Sequence, residues 1–161
     1  MPLITPETAA FLAGPNSIMV ASHDEHLVPA IARAWRITCH DGDRVTADLP
    51  TASSTEVLAQ LARDGRIAIV AELSTTHRTL QIKGRTLAIA PTPDEQRPAV
   101  EAAAEAFFAV CEQLGLPRRL TDRAVRWPTT SIEVQIDQVF EQSPGPGAGE
   151  PWRGPANGGA A

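Results

Sequence analysis

The sequence predicts a mainly β (α+β) domain, a small antiparallel barrel of about six strands with flanking helices. Three observations predict it. Apolar residues alternate with period two in several stretches, among them Leu80 and Ile82, and Ile132, Val134 and Ile136. In the stretch Arg78 to Ala90 the apolar phase shifts by one after Gly84, from Leu80 and Ile82 to Leu87 and Ile89, which reads as a β-bulge or sharp bend. Such bent strands turn corners in closed barrels and often sit beside a site. The connections are also too short for repeated βαβ crossovers, which removes a parallel sheet from consideration.

Taken in order, Thr5-Pro6-Glu7 starts a helix with a capping hydroxyl, a proline at the first helical position and an acid in the first turn, and Gly14-Pro15 ends it. Ser17 to Ser22 reads as a strand, and His23-Asp24-Glu25-His26 as the turn after it. Pro29 to Cys39 reads as one long strand, with Ile31, Arg33, Trp35, Ile37 and Cys39 on one face and Ala30, Ala32, Ala34 and Arg36 on the other. The small residues of the second face imply close packing by a helix, a partner chain or a flat ligand. Asp41-Gly42-Asp43 is a turn, and Arg44 to Leu49 the next strand.

Thr51 to Glu56 is rich in hydroxyls and precedes Val57, Leu58 and Leu61; Ser53 with Glu56 fits a capping box, and Gly65 the stop. Ile67 to Ala71 is a near-continuous apolar strand leading into the bulged one. Thr92-Pro93-Asp94-Glu95 starts a further helix, whose stripe runs through Val100, Ala104, Phe108 and Cys111 and closes at Gly115 and Pro117. Arg118 to Arg126 adds a short basic turn of helix, and Ile132 to Phe140 is the last strand. Residues 1–142 thus form one domain. Residues 143–161 are a Pro/Gly-rich tail that should be partly disordered, with Trp152 docked on the domain.

Composition removes several classes of function. With 43% hydrophobic and 20% charged residues the chain has the makings of a packed core. A net charge of -5 argues against nucleic acid as a partner. The opening residues carry no signal peptide pattern, and no apolar run is long enough to span a membrane, so a cytoplasmic location is expected. Cys39 and Cys111 form no zinc pattern and read as two free thiols. His23 and His26 lack a third ligand and read as solvated turn residues; no metal site is expected. There is no serine-nucleophile motif, dinucleotide fingerprint or phosphate loop.

The order of elements, the acidic turn between the second and third strands at Asp41-Gly42-Asp43, the helix after the third strand, Asp64-Gly65-Arg66-Ile67 and Arg78-Thr79-Leu80-Gln81-Ile82-Lys83-Gly84 together resemble the pyridoxamine 5′-phosphate oxidase-like, FMN-binding split-barrel family. The likeness runs from about Thr5 to Phe140, and the tail after Phe140 is similar to that of an uncharacterised bacterial branch. The resemblance implies a split barrel, a homodimer, and FMN in a cleft between the two chains. It makes Arg33, Trp35, Arg36, Ser53, Ser54, Thr55 and Thr79 the cofactor-binding candidates. His77, Arg78 and Gln81 become the candidates for binding a small-molecule substrate. The implied activity is that of an FMN-dependent oxidoreductase, with no catalytic side chain singled out.

The sequence departs from the family at the helix start. Ser54-Thr55-Glu56-Val57 holds no Lys or Arg where members with an FMN site carry a serine followed by basic residues. Hydroxyls and free N–H groups at a helix N-terminus hold an anion unaided, and Arg33, Arg36 or Arg78 could add charge. The capping box is the competing use of Ser53 and Glu56. The departure leaves a second reading open, in which the same fold serves as a ligand-binding or sensor protein with haem, a deazaflavin or no cofactor. Haem would need His23, His26, His40 or His77 as axial ligand.

Overall fold

The computed structural model describes residues 2–152. The expected disorder at the end of the tail falls outside the described residues. The chain runs α1 (Pro6–Leu12), β1 (Ser17–His23), β2 (Pro29–Ala34), β3 (Arg36–His40), β4 (Arg44–Pro50), α2 (Thr55–Asp64), β5 (Arg66–Leu73), β6 (Arg78–Pro91), α3 (Arg97–Gln113), α4 (Arg118–Thr121) and β7 (Thr129–Glu141). All strand pairs are antiparallel, in one seven-stranded sheet of order β2-β1-β5-β6-β7-β4-β3. This is the predicted split barrel with flanking helices. The extra strand arises because the long strand expected from Pro29 to Cys39 breaks at Trp35.

That break carries the chain between the two edges of the sheet. β2 and β3 are the two edges of the sheet, yet they are consecutive in the chain. The chain therefore leaves one edge and enters the other across a single residue. The Trp35 N–H donates to the Asp48 carbonyl at 2.8 Å, tying the crossing to β4.

The kink also corrects the predicted faces. Ala30, Ala32 and Ala34 enter the main core, whereas Ile31 is 64% exposed, so the apolar alternation of β2 runs opposite to its burial. α2 packs against β2, and its Val57 and Leu61 share the main core with the three alanines. The alanine face is core and contributes no surface for a second chain. After the kink Ile37 rejoins the main core, while Trp35 turns to a smaller one with Val100, Ala104 and Phe108 of α3.

Gly84 is where sequence and structure meet most closely. The β6–β7 register shifts between Lys83 and Gly84, and a Cβ at Gly84 would lie 2.1 Å from the backbone oxygen of Gln135. Only glycine lets β7 approach that near. The side-chain phase of β6 changes slightly later, at a second shift between Thr86 and Ala88; Leu87 is the extra residue there and is exposed, while Ile89 packs on the core.

Caps explain the helix limits. The Thr5 hydroxyl accepts from the Thr8 N–H, and Gly65 closes α2 in the left-handed conformation at φ 76°. Two predicted starts move. The Ser53–Glu56 box does not form: Ser54 is the N-cap of α2, and the Ser53 hydroxyl points back to the Pro50 carbonyl at 3.5 Å. A 3-10 turn over Asp94–Gln96 precedes α3, and the Thr92 hydroxyl serves a network described below.

Beyond β7 the tail folds back. Pro151 bridges Phe140, and Trp152 packs on the main core with its indole N–H donating to the Thr8 hydroxyl at 3.1 Å. Gly84→Ala should lower stability by more than about 2 kcal/mol, since the new methyl group meets backbone and not a movable side chain. Urea denaturation measures it, and an unchanged midpoint would mean that the β6–β7 corner can open without cost.

Candidate functional site

The kink at Trp35 positions the first group of candidates. Trp35 is buried; its ring meets Phe108 edge-on at 5.3 Å and its indole N–H donates to the Val125 carbonyl at 3.1 Å. Arg36, the next residue, faces the opposite way. Its Nε donates to Asp48 Oδ2 at 2.7 Å and its Nη1 to Gln96 Oε1 at 3.1 Å.

Asp48 is fully buried, and sequence reasoning did not single it out. Its Oδ1 accepts from Ser131 at 2.6 Å and, more weakly, from Thr92 at 3.5 Å. Thr129 in turn donates to the Thr92 hydroxyl at 2.8 Å. The network joins β3, β4, the end of β6, the start of β7 and the turn before α3. A buried carboxylate persists only when paired and hydrogen-bonded in this way. The signal was present in the sequence as a lone acid in the apolar run Val45 to Leu49.

The second group stands at the start of α2. Ser53 and Thr55 are exposed, and so is Glu56, which points away from the interior. Ser54 differs: it is 1% exposed, and its Oγ has no hydrogen-bond partner. A buried hydroxyl at a helix N-terminus with nothing to bond is costly unless a ligand completes it.

Arg33 lies under α3. Its guanidinium stacks 4.9 Å from the Phe107 ring centre, and Nη1 reaches the Ser17 hydroxyl at 3.3 Å. Burial lowers its pKa, partly offset by the nearby Cys111 sulfur. Burial likewise raises the Cys111 thiol, with Arg33 pulling the other way, and raises Cys39. Both cysteines are free.

The last group surrounds the β5–β6 turn. His77, at φ 58°, contacts Glu72 at 3.0 Å. Arg78 pairs with Glu7 at 3.2 Å and lies over the rings of Phe11 and Trp152 at 4.6 and 5.8 Å. Thr79 is fully engaged by its own chain: its N–H donates to the Ser143 hydroxyl, its carbonyl accepts from Gln142 N–H, and its hydroxyl donates to the His77 carbonyl. Gln81 meets the Gln142 amide at 3.4 Å.

One chain does not gather these candidates into a single cavity. Two concavities among the described residues, of about 560 and 590 Å³, are lined by none of them. The first is a trough over β1, β5, β6 and β7; the second lies between the start of α1 and the β3–β4 turn. Among the described residues no group of three or more His, Cys, Asp or Glu could hold a metal ion, and no helix is long and apolar enough to cross a membrane.

Comparison with known proteins identifies the family. The model for pyridoxamine 5′-phosphate oxidase matches residues 4–143, most of the chain, and the protein belongs to that family. No curated protein matches the sequence. Among solved structures, HupZ of Group A Streptococcus is 16% identical with a TM-score of 0.55, over 91% of this chain and 99% of its own. An F420 reductase is 12% identical with a TM-score of 0.54, over 84% of this chain and 98% of its own. An FMN-binding protein from Syntrophomonas wolfei is 13% identical with a TM-score of 0.52, over 83% of each chain. At these identities the likeness establishes the split-barrel fold.

Two outcomes follow from the buried groups. Asp48→Ala leaves Arg36 unpaired in a largely buried setting and should cost about 3–5 kcal/mol in urea denaturation, with Asp48→Asn milder. A midpoint within error of the parent would remove the network from the stability of the barrel. Because burial favours the neutral thiols, Cys39 and Cys111 should alkylate more slowly than free cysteine at about pH 8. The rate should rise as pH climbs through their raised range; labelling as fast as free cysteine would show that neither is sheltered.

Proposed function

We propose that the protein is a flavin-dependent oxidoreductase that works as a homodimer, with FMN held between two chains. The observation that carries this reading is Ser54, whose buried hydroxyl has no partner at the start of α2 in a chain of this family. An anionic phosphate fits there: Ser54 Oγ donates to it, the free N–H groups of the first turn add two or more donors, and the helix dipole favours negative charge. Ser53 and Thr55 flank it as exposed hydroxyls. Arg36 is committed to Asp48 and stiffens this end of the barrel, so phosphate binding rests on hydroxyls and backbone. That replaces the basic anchor that the sequence lacks.

Arg33 and Trp35 bound the cleft on one side, below α3, and Thr79 and Gln81 on another. The candidates of one chain do not converge on one cavity, and a second copy supplies the missing wall. The bound flavin supplies hydride and electron transfer, which no side chain here provides. The chain's own part is to hold and orient the ring, to present Arg33, and to limit water through the apolar packing of Trp35, Phe107 and Phe108. The substrate is a small molecule, with His77 and Arg78 at the entrance.

The test is the absorption spectrum of the protein incubated with excess FMN and then passed over a gel-filtration column. Flavin bands should co-elute with a species of dimer size, and Ser54→Ala should weaken FMN binding by about tenfold, the worth of one hydrogen bond to a charged group. Protein that elutes colourless after FMN treatment would overturn the reading, and so would a Soret band in the untreated sample.

A further inference from the structure

We propose that the trough over β1, β5, β6 and β7 is a second binding site, separate from the flavin cleft, for a small planar organic anion of the aromatic carboxylate class. Its volume of about 560 Å³ lies within the range of small-molecule sites. Its floor is flat: Ala21 and Ala68 stand directly opposite one another across β1 and β5, and neither carries atoms beyond Cβ. A planar ring can lie against such a floor where a branched body would leave gaps.

The charges above the floor are arranged against local preference. Arg66 and Arg85 are direct cross-strand partners on β5 and β6, and like charges so placed repel. Lys83, on the same face of β6, pairs with Ala68 and has no carboxylate partner among the described residues; its ammonium lies 5.0 Å from the Phe140 ring. The acids nearby answer only loosely, Asp64 at 3.6 Å from Arg66 and Asp137 at 3.8 Å from Arg85. Arg66, Lys83 and Arg85 line the trough with one carboxylate, Asp137, while Asp64 lies outside it and also contacts His23, which leaves the trough net positive in a chain of net charge -5. One bound carboxylate relieves the repulsion and reduces the excess.

The lip is strained in the same sense. Leu27 is 71% exposed and sits at φ 63°, a conformation that bulky residues avoid. The turn is held there by Asp24, whose Oδ1 accepts from the N–H groups of His26 and Val28 at 2.9 and 2.8 Å. Rigid presentation of an exposed leucine beside an alanine floor gives an aromatic ring an apolar cover.

The test is a titration of the full-length protein with 2-naphthoate, followed by amide chemical shifts, with 2-naphthalenemethanol as the neutral counterpart. Saturable binding is expected, with shifts at Ala21, Ala68 and Lys83, and with the alcohol at least about tenfold weaker. Lys83→Met should weaken the acid and leave the alcohol unchanged, while Leu27→Ala should weaken both. Arg85→Gln serves as an independent variant with the same expectation as Lys83→Met. Excess FMN should not displace the acid. Equal affinity for acid and alcohol, no saturation, shifts centred on Arg33 and Thr79, or displacement by FMN would each overturn the proposal. Failure of flavin to bind leaves these readouts intact, so the two readings fail separately.

Discussion

The structure depends on a sheet joined edge to edge by one residue. Trp35 carries the chain from β2 to β3, and its N–H bond to the Asp48 carbonyl fixes where the crossing occurs. The Asp48 side chain then secures the same spot from within, through Arg36, Ser131 and Thr92. The crossing joins the two edge strands through the chain itself, although β2 and β3 are not hydrogen-bonded to each other. It also requires a polar core element, because the kinked backbone and the strand ends converge where apolar packing alone cannot satisfy them. The indole of Trp35 packs against α3 in the smaller core, while Ala34 and Ile37 on either side of it in the chain belong to the main core.

Much of the fold was legible in local chemistry. Thr5, Gly65 and Gly84 acted as their residue types dictate, since a capping hydroxyl, a left-handed stop and a close backbone approach each leave one solution. Alternation failed at Pro29 to Cys39 because both faces there are partly apolar and each packs on something different. The isoleucine at position 31 suggested an inward face, but it is the alanines at 30, 32 and 34 that enter the core with Val57 and Leu61 of α2. The cap of α2 moved by one residue because the 3-10 turn over Thr51–Ser53 uses up the chain before the helix begins.

The site was legible to a lesser degree, and for a different reason. Residue types such as Arg36 and Thr79 say what a side chain can bind, not what has already claimed it. Arg36 is claimed by an acid on the neighbouring strand, and Thr79 by the tail more than sixty residues further on. Ser54 stood out only once burial was known, since the neighbouring hydroxyls of Ser53 and Thr55 look the same in sequence. On this fold a candidate site is thus marked by the polar groups that the packing leaves unsatisfied.

The contact between Trp152 and Thr8 has a mechanical side. These residues are 144 positions apart, yet a hydrogen bond joins them, and Arg78 spans Glu7, Phe11 and the indole beside it. The first helix and the last described residues therefore form a clasp on one side of the barrel. Tension between the first helix and residue 152 is therefore shared between these side-chain contacts and the backbone bonds that tie Pro151 and Trp152 to the end of β7.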